Sequence, residues 1–235
     1  MWYVTTFRLI SPISLKLSTA TSTGGKSLLL PTPFAIKMAL LEAALYDEGV
    51  AASEDIWRDL RRANVAVHGP ERITVNNTFT KVMKPVRGQV EVDPDTGLLP
   101  PMNRSIAFRE YVLWQGDCDV AVELPGEDTT AWLQRLTRIT YFGKRGGFVQ
   151  AVAPPQPVET LTLDFVNLSV AASTIPLHGT LQIMDDCSPE TTFDQVDIYS
   201  SKSLRVGKDR ILRQIVLPYR VERSSRSYTL YRRIP

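Results

Sequence analysis

Residues 32–49 read Thr-Pro-Phe-Ala-Ile-Lys-Met-Ala-Leu-Leu-Glu-Ala-Ala-Leu-Tyr-Asp-Glu-Gly, and the architecture is read outward from them. Thr32 suits a helix N-cap, because its side-chain oxygen can accept from an early backbone N–H. Pro33 suits the first helical position, where a missing N–H goes unnoticed. From Phe34 to Tyr46 the segment is apolar nearly all round, which predicts a buried helix, and Gly49 stops it. A second helix is predicted over Ser53–Ala63, with Ile56, Trp57 and Leu60 inward and Arg58, Asp59, Arg61 and Arg62 outward.

Upstream, Trp2–Ile10 is rich in β-branched and aromatic residues and reads as a strand. Ser11–Ser27 is polar and reads as a long loop. Downstream, Ile73–Met83 alternates with period two and reads as a strand. Prolines and glycines break that pattern from Lys84 to Arg104, where Asp93-Pro94-Asp95-Thr96-Gly97 is a turn. This stretch is expected to be a projecting hairpin arm. Strands are expected at Ile106–Trp114 and Val120–Leu124. A helix capped by Thr129 or Thr130, with Trp132, Leu133, Leu136 and Ile139 inward, then leads through Gly143–Gly147 to a strand around Phe148–Ala153. Beyond Pro154, Pro155 and Pro157, short strands are expected near 161–170, 180–184, 195–199, 211–219 and 227–234. The order is compatible with an α+β, ferredoxin-like β-α-β-β-α-β unit carrying insertions. Residues 1–153 are assigned to it, and 154–235 to a β-rich C-terminal region, separate or part of the same domain.

Composition excludes several classes. The chain has 235 residues, 43% of them hydrophobic and 22% charged, with a mean hydropathy of -0.09. It has no apolar run of about 18 residues and no signal-like leader, so a cytoplasmic protein without a membrane partner is expected. Cys118 and Cys187 form no CxxC pair, which argues against a zinc site or a disulfide framework. Net charge is only +2, but the basic residues bunch: Lys81, Lys84 and Arg87; Lys144 and Arg145; Lys202–Arg213; and a tail from Arg220 to Arg233. One basic face and an ordinary solvated surface both fit that distribution.

Thr23-Gly24-Gly25-Lys26-Ser27 invites comparison with a phosphate-binding P-loop. The first glycine of that motif is Ala20 here, and no helix follows Ser27 directly, so nucleotide binding is not expected. Lys26 touching a backbone phosphate is the better reading. Gly143-Lys144-Arg145-Gly146-Gly147 can place consecutive N–H groups around an anion beside two cations. A helix C-cap followed by a tight turn fits the same residues. Catalytic material is thin. His68, before Gly69-Pro70 in a turn-like stretch, could serve metal-independent RNA cleavage with Tyr46 and Lys37, and each has a plain structural reading. Neither a compact acidic cluster for a metal nor a serine nucleophile elbow is present, and no cofactor is expected.

Several motifs occur in a telling order. Leu30–Phe34 leads into Met38–Leu45. Arg109-Glu110-Tyr111-Val112-Leu113 precedes Val120-Ala121-Val122, and Ile139-Thr140-Tyr141-Phe142-Gly143-Lys144-Arg145 follows. Over roughly residues 1–153 this resembles the Cas-five family of CRISPR RAMP proteins. The resemblance implies a modified ferredoxin-like core with a long β-hairpin thumb, placed here at about 84–104. It implies an RNA-binding subunit of a type I Cascade-type antiviral complex that holds the 5′ handle of the crRNA. The backbone and large subunits would be its partners, and target DNA an indirect one. Most such subunits are not enzymes. One subtype processes pre-crRNA with Tyr, Lys and His, and its adjacent Lys-His pair has no counterpart here. Under this reading Lys26, Lys81, Lys84, Arg87, Arg104, Lys144 and Arg145 contact RNA, with Gly143, Gly146 and Gly147 holding the handle. A processing endoribonuclease and an interaction module unrelated to RNA are the alternatives.

Overall fold

The structure, a computed structural model, describes residues 1–17, 25–88, 91–125, 129–170 and 178–234. Ala20, Thr23 and Gly24 of the P-loop-like string lie outside the described residues.

Strand β1 (Trp2–Leu9) sits at the centre of the first sheet. Its alternation sends Tyr3 and Phe7 fully into the core, as a strand covered on one face requires. Helix α1 (Pro33–Leu60) follows, then β2 (Asn64–His68), the long pair β3 (Arg72–Lys84) and β4 (Asn103–Gln115), β5 (Cys118–Glu123), helix α2 (Thr129–Thr137) and β6 (Val149–Ala151). The sheet runs β6-β1-β5-β2, and each neighbouring pair is antiparallel. β7 (Gln156–Val158) pairs with the other end of β1, and β8 (Val166–Asn167) extends the sheet beyond β2.

Thr32 caps α1 as expected: Ala35 N–H donates to its Oγ1 at 3.1 Å. The two expected helices are one element, bent at Gly49, whose φ of 76° and ψ of -178° suit glycine alone. The helix is not buried all round. Ile36, Leu40 and Ala44 face the core, whereas Tyr46 and Val50 are exposed. α2 buries Trp132 and Leu136, with Ile139 just beyond. It also buries Arg135, which lies over the Trp132 ring and pairs with Glu48.

The rest of the chain completes these layers. β9 (Thr180–Cys187) and β10 (Arg210–Leu217) form a two-stranded antiparallel sheet, with β9 against α1. β11 (Tyr219–Ser224) and β12 (Tyr228–Arg233) join β3 and β4 in a four-stranded sheet of order β11-β12-β3-β4. The strand expected over 195–199 is instead a helical turn, α3 (Phe193–Val196), because Thr192 and Gln195 form a capping box. His68 does not lie in a turn but ends β2. Ser11–Ser27 is only partly a loop: Ile13 and Leu15 are buried, and Ile13 and Lys16 bridge to Val112 and Ser27. Cys118 and Cys187 are free and buried, and burial pushes the Cys187 thiol up to about 12.

The least expected core residue is Lys37. Its ammonium is 1% exposed, donates to Asp186 Oδ1 at 2.6 Å and reaches the Arg61 carbonyl at 3.3 Å. Asp186 belongs to β9 and also accepts from the Cys187 N–H. Around this pair Trp57 Nε1 and Arg61 both donate to the Thr191 carbonyl. Removing one partner of a buried pair strands the other charge. Lys37→Met is therefore expected to lower unfolding stability by about 3–5 kcal/mol in urea titrations. Lys37→Met with Asp186→Leu is expected to recover most of that loss.

Candidate nucleic-acid interface

The glycine loop after α2 is a fixed bend. Tyr141 and Phe148 bridge across it. Ser11 Oγ donates to the Gly146 carbonyl at 2.5 Å and accepts from the Phe148 N–H at 2.8 Å. Gly143 and Gly146 have φ of 70° and 107°. A Cβ on Gly143 would lie 2.9 Å from Leu15 Cδ2, and one on Gly147 2.8 Å from Ile13 Cγ2. The C-cap reading of Gly143 fails, because α2 ends at Thr137 and the glycine lies inside the bridged turn. The N–H groups of Lys144, Arg145 and Gly146 donate to nothing among the described residues. Free amides beside positive-φ glycines are the kind of backbone from which anion-binding concavities are built.

This loop forms one wall of a groove of about 1040 Å³ along the outward face of α1. Its floor is apolar, from Leu15, Leu28, Met38 and Leu45, and its far wall is Phe193 and Val196. Tyr46, Tyr141 and Tyr199 line the groove with Lys16, Lys144 and Arg145, and so do the carboxylates of Glu42, Asp185 and Asp197. Arg145 lies 3.8 Å from Glu42. Burial raises the Tyr141 hydroxyl's pKa above the ordinary phenol value, and hydrogen bonding to Glu42 adds to the rise. The hydrogen bond to Tyr141 likewise raises Arg145, which stays charged. Lys144 has no ion pair among the described residues. An apolar trough with tyrosines and cations in its lining can take an unstacked base while its phosphate meets the loop.

The other sequence candidates fall elsewhere. Lys81, Lys84, Arg87 and Arg104 are exposed on the far end of the β3–β4 ribbon and on the connection joining the strands. The ladder runs from Arg72 opposite Gln115 to Lys84 opposite Asn103, so the paired hairpin flanks the 84–104 arm read from the sequence, and the described residues between Lys84 and Asn103 form no strand. Phe79, Met83 and Ile106 are exposed there, and the Phe79 and Phe108 rings lie 5.1 Å apart. Lys26 is bound to Glu110 Oε1 at 2.7 Å, and that carboxylate also accepts from the Ser27 N–H. Gly25 is packed so closely on β4 that a Cβ would lie 2.0 Å from the Phe108 carbonyl oxygen. This glycine-lysine segment is thus fastened to the ribbon base rather than wrapped around an anion.

The cleavage trio is dispersed. Lys37 is in the core pair and Tyr46 in the groove lining. His68 lies 3.3 Å from Asp119 and 3.4 Å from Asp164, in contact with Arg233. No two of the three are hydrogen-bonded to each other. Lys16 and Tyr199 escaped the sequence reading, one in a stretch taken as loop and the other in a run taken as strand.

The chain matches no family model. It is related to a curated CRISPR-associated protein Cas5 of Archaeoglobus fulgidus, 23% identical over 210 residues that cover 87% of each protein. That relative carries the family name read from the ordered motifs. Among solved structures, a CRISPR protein from Archaeoglobus fulgidus superposes with a TM-score of 0.49 at 13% identity, covering 100% of this chain and 92% of that one. A chain of a CRISPR RNA-guided surveillance complex gives 0.46 at 15%, covering 100% and 90%.

Gly147→Val places a branched side chain against Ile13. It is expected to lift the loop off residues 11–15 and lower the melting temperature by several degrees, as about 1–3 kcal/mol of overpacking does. Gly146, with nothing within 4 Å of its Cβ position, should tolerate Asn better than Val, because only backbone conformation is at stake there.

Proposed function

We propose that this chain is a non-catalytic RNA-binding subunit of a type I CRISPR Cascade-type complex, holding the 5′ handle of the guide RNA in the groove beside the glycine loop. The observation that carries the reading is the loop itself: three uncommitted backbone amides, Lys144 and Arg145, set against an apolar trough that three tyrosines help to line. Phosphates take the amides and cations, and splayed bases take the trough. The curated relative's name, Cas5, supports the assignment.

The sheet order β6-β1-β5-β2, with one helix after β1 and another after β5, supports reading a ferredoxin-like unit here. The β3–β4 ribbon is inserted between its second and third core strands, where the family's thumb belongs. Its exposed Phe79, Met83 and Ile106, flanked by Lys81, Lys84, Arg87 and Arg104, suit packing on an adjacent backbone subunit while the cations follow the RNA. The dispersal of Lys37, Tyr46 and His68 supports a holding role over a cutting one.

Handle RNA binding by the purified chain tests the reading. Lys144→Ala with Arg145→Ala is expected to weaken it at least about tenfold, since hydrogen bonds to charged groups contribute about 1.5–3 kcal/mol. Lys26→Ala should change it far less. Specific cleavage of a repeat RNA in EDTA, abolished by His68→Ala, would overturn the non-catalytic assignment.

A further inference from the structure

The β11-β12-β3-β4 sheet has one face against the core, through Ile73, Val75, Val112 and Trp114. Directly paired residues share a face, so the registers define the other one. Arg220 pairs with Arg232 and Arg232 with Arg72, which places three arginines in line across three strands. Neighbouring strands lie about 4.8 Å apart. The next row is Arg223, Leu230, Thr74 and Leu113, followed by Tyr228, Asn76 and Tyr111, then Thr78 and Arg109.

A bulge makes this face more basic. The register shifts between Val221 and Arg223. An unbroken strand would point Arg223 to the side opposite Arg220, but the extra residue, Glu222, turns it onto the same side. Like charges set directly opposite each other cost stability. Glu222 reaches Arg72 at 3.1 Å, and Glu71 lies 3.6 Å from Arg72 and 3.8 Å from Arg232. Those two carboxylates leave Arg109, Arg220 and Arg223 without an ion pair among the described residues. The face shares no residue with the groove.

We infer that this sheet face is a second nucleic-acid surface, which takes a single strand with its phosphates on the arginine rows and bases on Tyr111 and Tyr228. Arg220, Arg223 and Arg109, left without ion pairs among the described residues beside the countered Arg72 and Arg232, offer guanidiniums to a polyanion of regular spacing. Two half-exposed tyrosines flanking Asn76 provide sequence-tolerant stacking beside a hydrogen-bonding amide. Both features sit on a paired sheet whose inner face is buried at Ile73, Val75, Val112 and Trp114, so the strands carrying them are held before binding.

The test uses fluorescence anisotropy of the full chain with labelled 20-nucleotide uridine and thymidine single strands over a salt series. A Lys144→Gln/Arg145→Gln background removes the loop's contribution. Binding is expected to persist in that background. Adding Arg220→Gln, Arg223→Gln and Arg232→Gln is expected to weaken it at least tenfold and flatten the salt slope by roughly 2, since each lost phosphate contact removes about 0.7. Adding Tyr111→Ala and Tyr228→Ala should weaken it about tenfold with the slope unchanged. On the unaltered protein, 4-thiouridine crosslinks should map to the peptides bearing these tyrosines. Unchanged affinity in the arginine variant would overturn the inference, as would crosslinks confined to the groove. So would equal binding of a blunt duplex, or competition by polyglutamate as effective as by RNA. Loss of handle RNA binding in the loop variant alone would leave this face's binding intact, which separates the two surfaces.

Discussion

The buried ammonium of Lys37 constrains the halves of the molecule to each other. A lysine on the inner face of a core helix cannot stay charged without a carboxylate, and the one it meets is 149 residues away, on β9. A hydrophobic pair of similar volume would hold at least as well. What the ion pair adds is register. Sliding β9 by one residue would bring Cys187 or Asp185 to the position of Asp186, which leaves Lys37 without a carboxylate or takes Asp185 from Arg210. With β9 held, Asp185 pairs with Arg210, whose guanidinium lies 4.3 Å over the Phe34 ring. The segment carrying Phe193, Val196 and Tyr199 is thereby set opposite the glycine loop. The groove exists because its two walls, from distant parts of the chain, are tied to one helix.

The β3–β4 ribbon follows from a different constraint. Near its base Ile73, Val75, Val112 and Trp114 are buried, and Trp114 Nε1 donates to the Leu29 carbonyl at 3.0 Å. Past Glu110 no core lies beneath it, yet the ladder continues to Lys84 and Asn103. A two-stranded ribbon is marginal in water by itself. It persists here because β12 pairs with the base of β3, and Lys26 and Ser27 fasten Glu110 from the other side. The fastened base leaves Phe79, Met83 and Ile106 exposed at the ribbon's far end.

Local chemistry made much of this legible in the sequence. Thr32-Pro33 and Gly49 marked the ends of a helical run, and alternation from Ile73 to Met83 marked a strand, because capping and periodicity act over a few residues. The tight turn at the glycine loop was readable for the same reason. What escaped depends on distant pairing. Lys37 looks like an ordinary helix lysine until Asp186 is opposite it. The run at 195–199 has β-like composition, yet Thr192 and Gln195 cap a helical turn there. Arg72, Arg220 and Arg232 form a line only once three strands are in register, and a single bulge decides where Arg223 points.

Net charge was the weakest guide, and the reason is physical. With 27 basic and 25 acidic residues the chain is nearly neutral. Yet several carboxylates are spent inside or at the margins of the core: Asp186 on Lys37, Asp185 on Arg210, Glu110 on Lys26, Glu48 on Arg135 and Asp209 on Arg205. The Arg205 guanidinium holds the Asp209 carboxyl down at about 2, so that pair persists across the physiological range. Each internal pairing removes one charge of each sign from the outward field. Cations without an ion pair among the described residues, Lys144 at the loop and Arg109, Arg220 and Arg223 on the sheet among them, then stand in local fields that the chain's total conceals. Potential at a surface follows the charges that remain uncompensated there, not their sum over the molecule.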